Sequence, residues 1–253
     1  KTRLWNPRLN SWPESSFPTR LVTTDNEGNR RDAGVRFGVL RDDGQATALV
    51  INDTVRSAWS FEKDRWVEEK SFLKGLEFEG QPVFTSRDGV DRGVRLRDVN
   101  NDGICELVVG NDSQNAVYGW SADEQSWKKL AYALPRGASI VDAFGRDNGL
   151  RFVDVNEDGF DDVIFSNEQA FSLNLFVRQL YLGFQAGWTR DVITGKRGDA
   201  GEIPMIVRAG TNRNNGAWFH SRHLWVQNED TAAMKDLVDR RSFEVLLGGF
   251  KPA

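Results

Sequence analysis

The residues best suited to chemistry in this chain lie in a nine-residue stretch, Asp98-Val-Asn-Asn-Asp-Gly-Ile-Cys-Glu106, which recurs as Asp154-Val-Asn-Glu-Asp-Gly-Phe-Asp-Asp162. Both read D-x-N-x-D-G-x-x-[DE], with oxygen donors at positions 1, 3, 5 and 9 and a glycine at 6 where the loop must turn. Carboxylates and an amide at this spacing suit a hard cation, since calcium takes six to eight oxygens at roughly 2.3–2.6 Å. The expected ligands are Asp98, Asn100, Asp102 and Glu106 with the Ile104 carbonyl, and Asp154, Asn156, Asp158 and Asp162 with the Phe160 carbonyl. An EF-hand would need its bidentate Glu at position 12 and helices on both sides. Here the acid comes at 9, and β-type runs such as Gly-Val-Arg-Leu-Arg and Leu-Val-Val-Gly flank the loop. The unit is therefore read as strand–calcium loop–strand, and two Ca²⁺ ions are expected.

Elements that position such loops must repeat, and three markers do. A glycine motif occurs at Gly34, Gly93, Gly149 and Gly216. An apolar run ending in Asn-acid occurs at Asn52, Asn111, Asn167 and Asn228, in steps of 59, 56 and 61 residues. Aromatic pairs seven apart fall at Trp5/Trp12, Trp59/Trp66, Trp120/Trp127 and Tyr181/Trp188. Each repeat then reads as four strands, two flanking the loop and two in an aromatic hairpin. Repeats of roughly 40–60 residues with four strands are β-propeller blades. The fold class expected is all-β, a propeller of four-stranded blades with about four repeats, either a closed small ring or part of a larger one. The Trp pairs are read as rim packing between blades.

The glycine-to-Asn distance is 18 residues in the first three repeats and 12 in the fourth. The first repeat keeps the length but carries Val39, Arg41 and Thr47 at ligand positions 1, 3 and 9, so no metal is expected there. The fourth has lost the loop. Residues 1–24 are assigned to an outer hairpin of a partial blade, 25–230 to the propeller and 231–253 to a helical tail or linker. The helix is drawn from the apolar spacing between Met234 and Leu247. One way to close the ring is for the N-terminal hairpin to complete the last blade; the other reading is an excerpt of a longer propeller.

Composition narrows the function. The chain has 253 residues, nine Trp and a formal net charge of −4, which argues against a nucleic-acid partner. No apolar run is long enough for a membrane span. The single Cys105 excludes an internal disulfide and a CxxCH haem motif. Strand one begins and strand two ends on one face, opposite the calcium loops. That face would gather Arg36, Arg95 and Arg151 with Asn52, Asn111, Asn167 and Asn228 around the channel mouth, as a ligand-binding ring or as structural pairs and turns. Two weaker candidates, Arg197-Gly-Asp199 and the histidines His220 and His223, carry little specificity. The Thr194–Asn215 segment interrupts the repeat and is the asymmetric candidate for a binding loop.

The D-x-N-x-D-G-x-x-[DE] loop between strands resembles the FG-GAP/VCBS-repeat propellers, including the calcium-loop blades of integrin α-chains, over about residues 35–230. The stretches Gly195–Asp199, Asn214–Asp230 and Leu237–Phe243 are similar to the propeller region of large secreted c-type haem (CxxCH) proteins of planctomycete bacteria. That resemblance implies a propeller joined to a cytochrome c module. The absence of CxxCH means no covalent haem in this chain, so the module would lie downstream or be absent. Together these readings imply a calcium-stabilised module, periplasmic or extracellular, that binds a protein or glycan. The alternative is a carbohydrate-active lyase or hydrolase working at the channel mouth.

Overall fold

A computed structural model describes residues 2–3, 5–178, 186–208 and 213–248, apart from the side chains of Thr2, Ser15 and Arg213. Four antiparallel sheets follow one another along the chain in a four-blade β-propeller arrangement. Blade one is built from Arg36–Val39, Ala46–Ile51, Arg56–Glu62 and Arg65–Glu68. Blade two comprises Val94–Arg97, Glu106–Gly110, Asn115–Ser121 and Ser126–Lys129. Blade three comprises Leu150–Val153, Asp162–Ser166, Ala170–Val177 and Gly187–Lys196. Blade four has three strands, Ala217–His220, His223–Val226 and Asp239–Ser242.

The strand types follow from what covers them. In blade two the first strand alternates buried Val94 and Leu96 with half-buried Arg95 and Arg97, the period of a strand with one face in the core. The second strand, Glu-Leu-Val-Val-Gly, is buried at every position because neighbouring blades cover both its faces. Its apolar run is therefore continuous rather than alternating. Apolar clusters join blade one to two (Leu49, Val94, Leu107), two to three (Val108, Val163, Trp188) and three to four (Ile164, Leu224, Val226). Among the described residues no such cluster joins the fourth blade to the first, and Phe17 and Trp66 cover the free side of blade one.

The aromatic markers are structural. Trp127 is buried; its indole N–H donates to the Phe72 carbonyl at 2.8 Å and its backbone N–H to Lys74 at 2.9 Å. It thereby bolts the hairpin of blade two to the linker after blade one. Trp188 donates to the Asp161 carbonyl at 2.7 Å and packs against Phe152 and Phe176. Tyr181 lies outside the described residues.

One expectation about the C-terminal end is corrected. Asp239–Ser242 is not helical but pairs with His223–Val226 as the third strand of blade four. Asp236 and Leu237 take left-handed backbone angles that interrupt a helix, and the polar Asp-Arg-Arg-Ser run suits an exposed edge. Among the described residues of the tail, Lys235–Leu237 forms a 3-10 turn and Phe243–Leu246 an α-helical turn, capped by the Ser242 hydroxyl, with Phe243 and Leu246 seated on blade four. Of the two readings of the ends, completion of that blade by the N-terminal hairpin is not seen among the described residues: Thr2–Arg3 pairs with Glu14–Ser15, and Trp5 packs on Trp12 with both rings exposed.

Gly93 opens blade two at φ 65°, and a Cβ there would lie well inside contact distance of the Gly110 carbonyl in the paired strand. Gly149 and Gly216 meet the facing strand in the same way, which accounts for the recurring glycine. Gly44 also has a positive φ, 69°, but a Cβ there would meet nothing within 4 Å. Gly44→Ala should cost about 1 kcal/mol, the left-handed penalty alone. Gly93→Ala should cost about 1–3 kcal/mol more through overpacking, measured by urea unfolding of both variants.

Candidate functional site

At one end of the blades, asparagines close the turns after the second strands. The Asn111 Oδ1 accepts from the backbone N–H groups of Ser113 and Gln114 at 2.9 and 2.8 Å, and its Nδ2 donates to the Arg92 carbonyl at 2.8 Å. Asn52 does the same with Thr54, Val55 and the Ala33 carbonyl, and Asn167 with Gln169, Ala170 and the Asn148 carbonyl. Asn228 accepts from Asp230 and donates to the Asn215 carbonyl. Each amide ties the end of strand two to the residue just ahead of the glycine that starts strand one. The four asparagines therefore stand at the ends of the second strands and are committed to backbone.

The arginines stand beside them. Arg95 holds both Asp91 oxygens, at 3.2 and 2.8 Å, and Arg151 both Asp147 oxygens, at 2.9 and 2.7 Å. Arg36 spans two blades, contacting Asp32 and Asp91 at 2.9 Å each and the Val94 carbonyl at 2.9 Å. Burial alone would raise the Asp91 carboxyl, but Arg95 and Arg36 overcome it and hold the group below the usual carboxylate range. Asp147 follows the same balance, with Arg151 as the dominant partner.

Short hairpins ahead of the first strands supply those aspartates, and sequence reasoning had not assigned them. Val22–Thr24 pairs with Arg30–Asp32, Ser86–Arg87 with Val90–Asp91, and Val141 bridges Asp147. They wall a cavity of about 790 Å³ whose lining includes Arg31, Arg95, Arg97, Arg146, Arg151 and Phe144. The readable signal is a positive-φ glycine shortly after an Asp in each: Gly28, Gly89 and Gly145.

The two acidic loops occupy the opposite end and are nearly superimposable in their bonding. Asp98 accepts from Asp102 and Gly103 at 3.0 and 2.9 Å; Asp154 accepts from Asp158 and Gly159 at 3.1 and 2.9 Å. Asp102 accepts from Ile104, and Asp158 from Phe160. Glu106 is buried, its Oε2 bonded to the Val99 N–H; Asp162 is fully buried, with oxygens on the Val155 and Phe176 N–H groups. Burial pushes both carboxyls up to about 7, with neighbouring loop acids adding to it.

The donor set is all oxygen, which fits calcium chemically. The Asn100 Nδ2 lies 3.0 Å from both Asp102 Oδ2 and Glu106 Oε1, so a positively polarised amide group bridges these acids. Asn156 donates similarly to Asp158 at 2.8 Å. Asn100, Asp102, Ile104 and Glu106 also line a common cavity. As the loops stand, no three carboxylate, thiol or imidazole groups among the described residues are close enough together to hold a metal ion. The first repeat's Asp43 pairs with Arg41 at 3.3 Å instead.

Other candidates are tied up. Arg197 of the Arg-Gly-Asp triplet turns inward to the Ile203 carbonyl, the Ser166 hydroxyl and Glu202, so the triplet does not display its cation. His220 and His223 are cross-strand partners at a two-residue turn, with a His223 ring nitrogen 2.6 Å from the Ser221 carbonyl. The 194–215 segment is described except at 209–212.

With this geometry in place, residues 98–165 match the model of a family described as FG-GAP-like repeat. The match runs from the first residue of one acidic loop into the strand that follows the other. A search of curated proteins finds no match. Fold and match together define a β-propeller that carries an FG-GAP-like repeat. Among the described residues no helix is long and apolar enough to cross a membrane.

Two measurements follow. Asn111→Ala strips four side-chain bonds and leaves the Arg92 carbonyl without its donor, so it should destabilise the chain by about 1–3 kcal/mol in urea unfolding. The ion pair makes a signed prediction as well. Because the folded Asp147 carboxyl is depressed, its stabilisation is present above its unfolded value near 4 and lost as pH falls through the folded one. The stability deficit of Arg151→Met should therefore be largest near neutral pH and shrink on acidification toward pH 3.

Proposed function

We propose that this chain is a calcium-stabilised binding module, periplasmic or extracellular, whose protein or glycan ligand sits at the arginine-lined channel mouth. The observation that carries the reading is the electrostatic state of the mouth. Asp91 and Asp147 are held ionised by paired arginines in the same arrangement in successive blades, Arg95–Asp91 being repeated as Arg151–Asp147. A glycoside hydrolase needs a carboxyl with raised pKa as its acid. Among the described residues the carboxyls pushed up to about 7 are Glu106 and Asp162, which lie in the loops away from the mouth. Glu202, beside the asymmetric 194–215 segment, is instead lowered by the Gly198 N–H and Arg197. This supports binding over turnover.

In this reading Asp98, Asn100, Asp102 and Glu106 hold one ion and Asp154, Asn156, Asp158 and Asp162 the other. Bound calcium would neutralise the clustered acids and tie strand one to strand two. Loops of this type without a paired-helix frame belong to the sub-millimolar to millimolar calcium range outside the cell, roughly 10⁻⁴–10⁻³ M. The same reading places the propeller within a larger protein, with a c-type haem module carried outside residues 1–253.

Calcium titration and thermal melts with and without chelator test the stabilising role. Wild type should bind two ions, and each site should add about 2.7 kcal/mol at a hundredfold excess over its Kd. Asp102→Ala and Asp158→Ala should each lose one ion and melt lower in calcium, whereas Asp43→Ala should bind two. Calcium-independent melts, or an equal effect from Asp43→Ala, would overturn it. Turnover of any polysaccharide by the purified chain would overturn the choice of module over enzyme.

A further inference from the structure

We infer that the mouth cavity is a site for a carboxylate-bearing sugar, of the size of a uronic-acid trisaccharide; this rests on the binding-module reading and names its ligand class. The cavity is lined by six arginines and three aspartates, Asp32, Asp91 and Asp147, in a chain whose overall formal charge is −4. Three further aspartates, Asp25, Asp142 and Asp161, pair with Arg31, Arg146 and Arg97 from outside the lining. The cavity wall is thus cationic while its counter-charges sit behind or beside it.

Those counter-charges position the arginines without exhausting them. A guanidinium carries five N–H donors in a planar fork that matches a carboxylate. Arg95 spends three: one on each Asp91 oxygen and one on the Val94 carbonyl. Arg151 spends three in the same way on Asp147 and the Leu150 carbonyl. Five less three leaves two donors on each, on side chains whose rotamers are already fixed, so a ligand would lose little entropy in ordering them. A carboxylate can accept those donors without breaking the Asp pairs.

The non-polar part of the wall selects for more than a bare anion. Phe144, at the tip of the Val141–Asp147 hairpin, is 71% exposed, with the Arg146 guanidinium 4.6 Å from its ring centroid. An aromatic face left in solvent beside a row of donors can cover the C–H face of a sugar ring while its carboxylate meets the arginines. Phe152, beneath the Arg97 guanidinium at 5.3 Å, adds apolar floor. A volume of about 790 Å³ accommodates several sugar rings.

The test is calorimetric titration of the full chain in calcium with a uronic-acid trisaccharide, its neutral methyl ester and inorganic sulfate, at 50 and 200 mM salt. The acid should bind, the ester at least tenfold more weakly, and affinity for the acid should fall severalfold at the higher salt. Phe144→Ala, an exposed change, should weaken the acid severalfold. The paired Asp147→Asn/Arg151→Gln variant, which removes both charges without orphaning one, should weaken it at least tenfold. No binding of the acid, equal binding of acid and ester, or full affinity in both variants would overturn the assignment. Sulfate binding as tight as the trisaccharide would overturn it too, marking a simple oxyanion site. If the paired variant fails to fold, Phe144→Ala and the ester comparison still decide. Melts of the same samples keep the two readings apart: a calcium-dependent rise without uronate binding removes the ligand class and leaves the stabilised module standing.

Discussion

An asparagine amide at the end of each second strand holds together the point where every blade begins. The requirement is for one side chain that donates in one direction and accepts twice in another. An aspartate lacks the donor, and a glutamine would be one carbon too long for the turn. Asn111 and Asn167 are buried, so their bonds replace solvent that has been excluded, and any orphaned partner would cost the full desolvation penalty. In blades two to four the glycine across from the asparagine is the other half of the device. The missing Cβ of Gly93, Gly149 and Gly216 lets strand one approach the carbonyl at the end of strand two, as Gly93 does with Gly110. Strand pairing, interblade packing and the mouth geometry are all built out from this junction.

The two ends of a blade then diverge electrostatically, although both are rich in aspartate. At the junction end Asp91 and Asp147 each face an arginine four residues on, and pairing outweighs burial. At the loop end Glu106 and Asp162 are buried, accept from backbone N–H groups and have other loop acids nearby, and burial wins. Desolvation and pairing act in opposite directions on the same residue type, so the sign of the shift reports the local partner. This contrast separates an end of paired charges from an end of buried acids.

Packing between blades falls to the aromatic hairpins. Trp127 and Trp188 each bury a large ring and donate the indole N–H to a carbonyl outside their own hairpin. Such a residue welds two elements with one side chain, combining apolar area with a satisfied polar tip. The exposed Trp5–Trp12 pair shows that the spacing alone does not weld: it needs a neighbouring surface to enter.

The sequence by itself determined the repeat, the all-β class, the order of strands within a blade and the equivalence of the two acidic loops. Each of these depends on periods, 2 within strands and about 60 between blades, that survive in the linear pattern. It also determined that asparagine and arginine gather at one end, since strand direction alone puts them there. Tertiary structure decided what those residues are free to do. Asn52, Asn111, Asn167 and Asn228 turned out to be spent on backbone, and Arg36 on two neighbouring hairpins, because partners that lie from 13 to 58 residues away leave no local mark. The entry hairpins and the cavity they enclose were invisible for the same reason. Asp239–Ser242 misled because helical spacing at Phe243, Leu246 and Leu247 extends backward smoothly in sequence. Only the unpaired edge of His223–Val226 converts those four residues into a strand, and an edge exists only once the blade has formed.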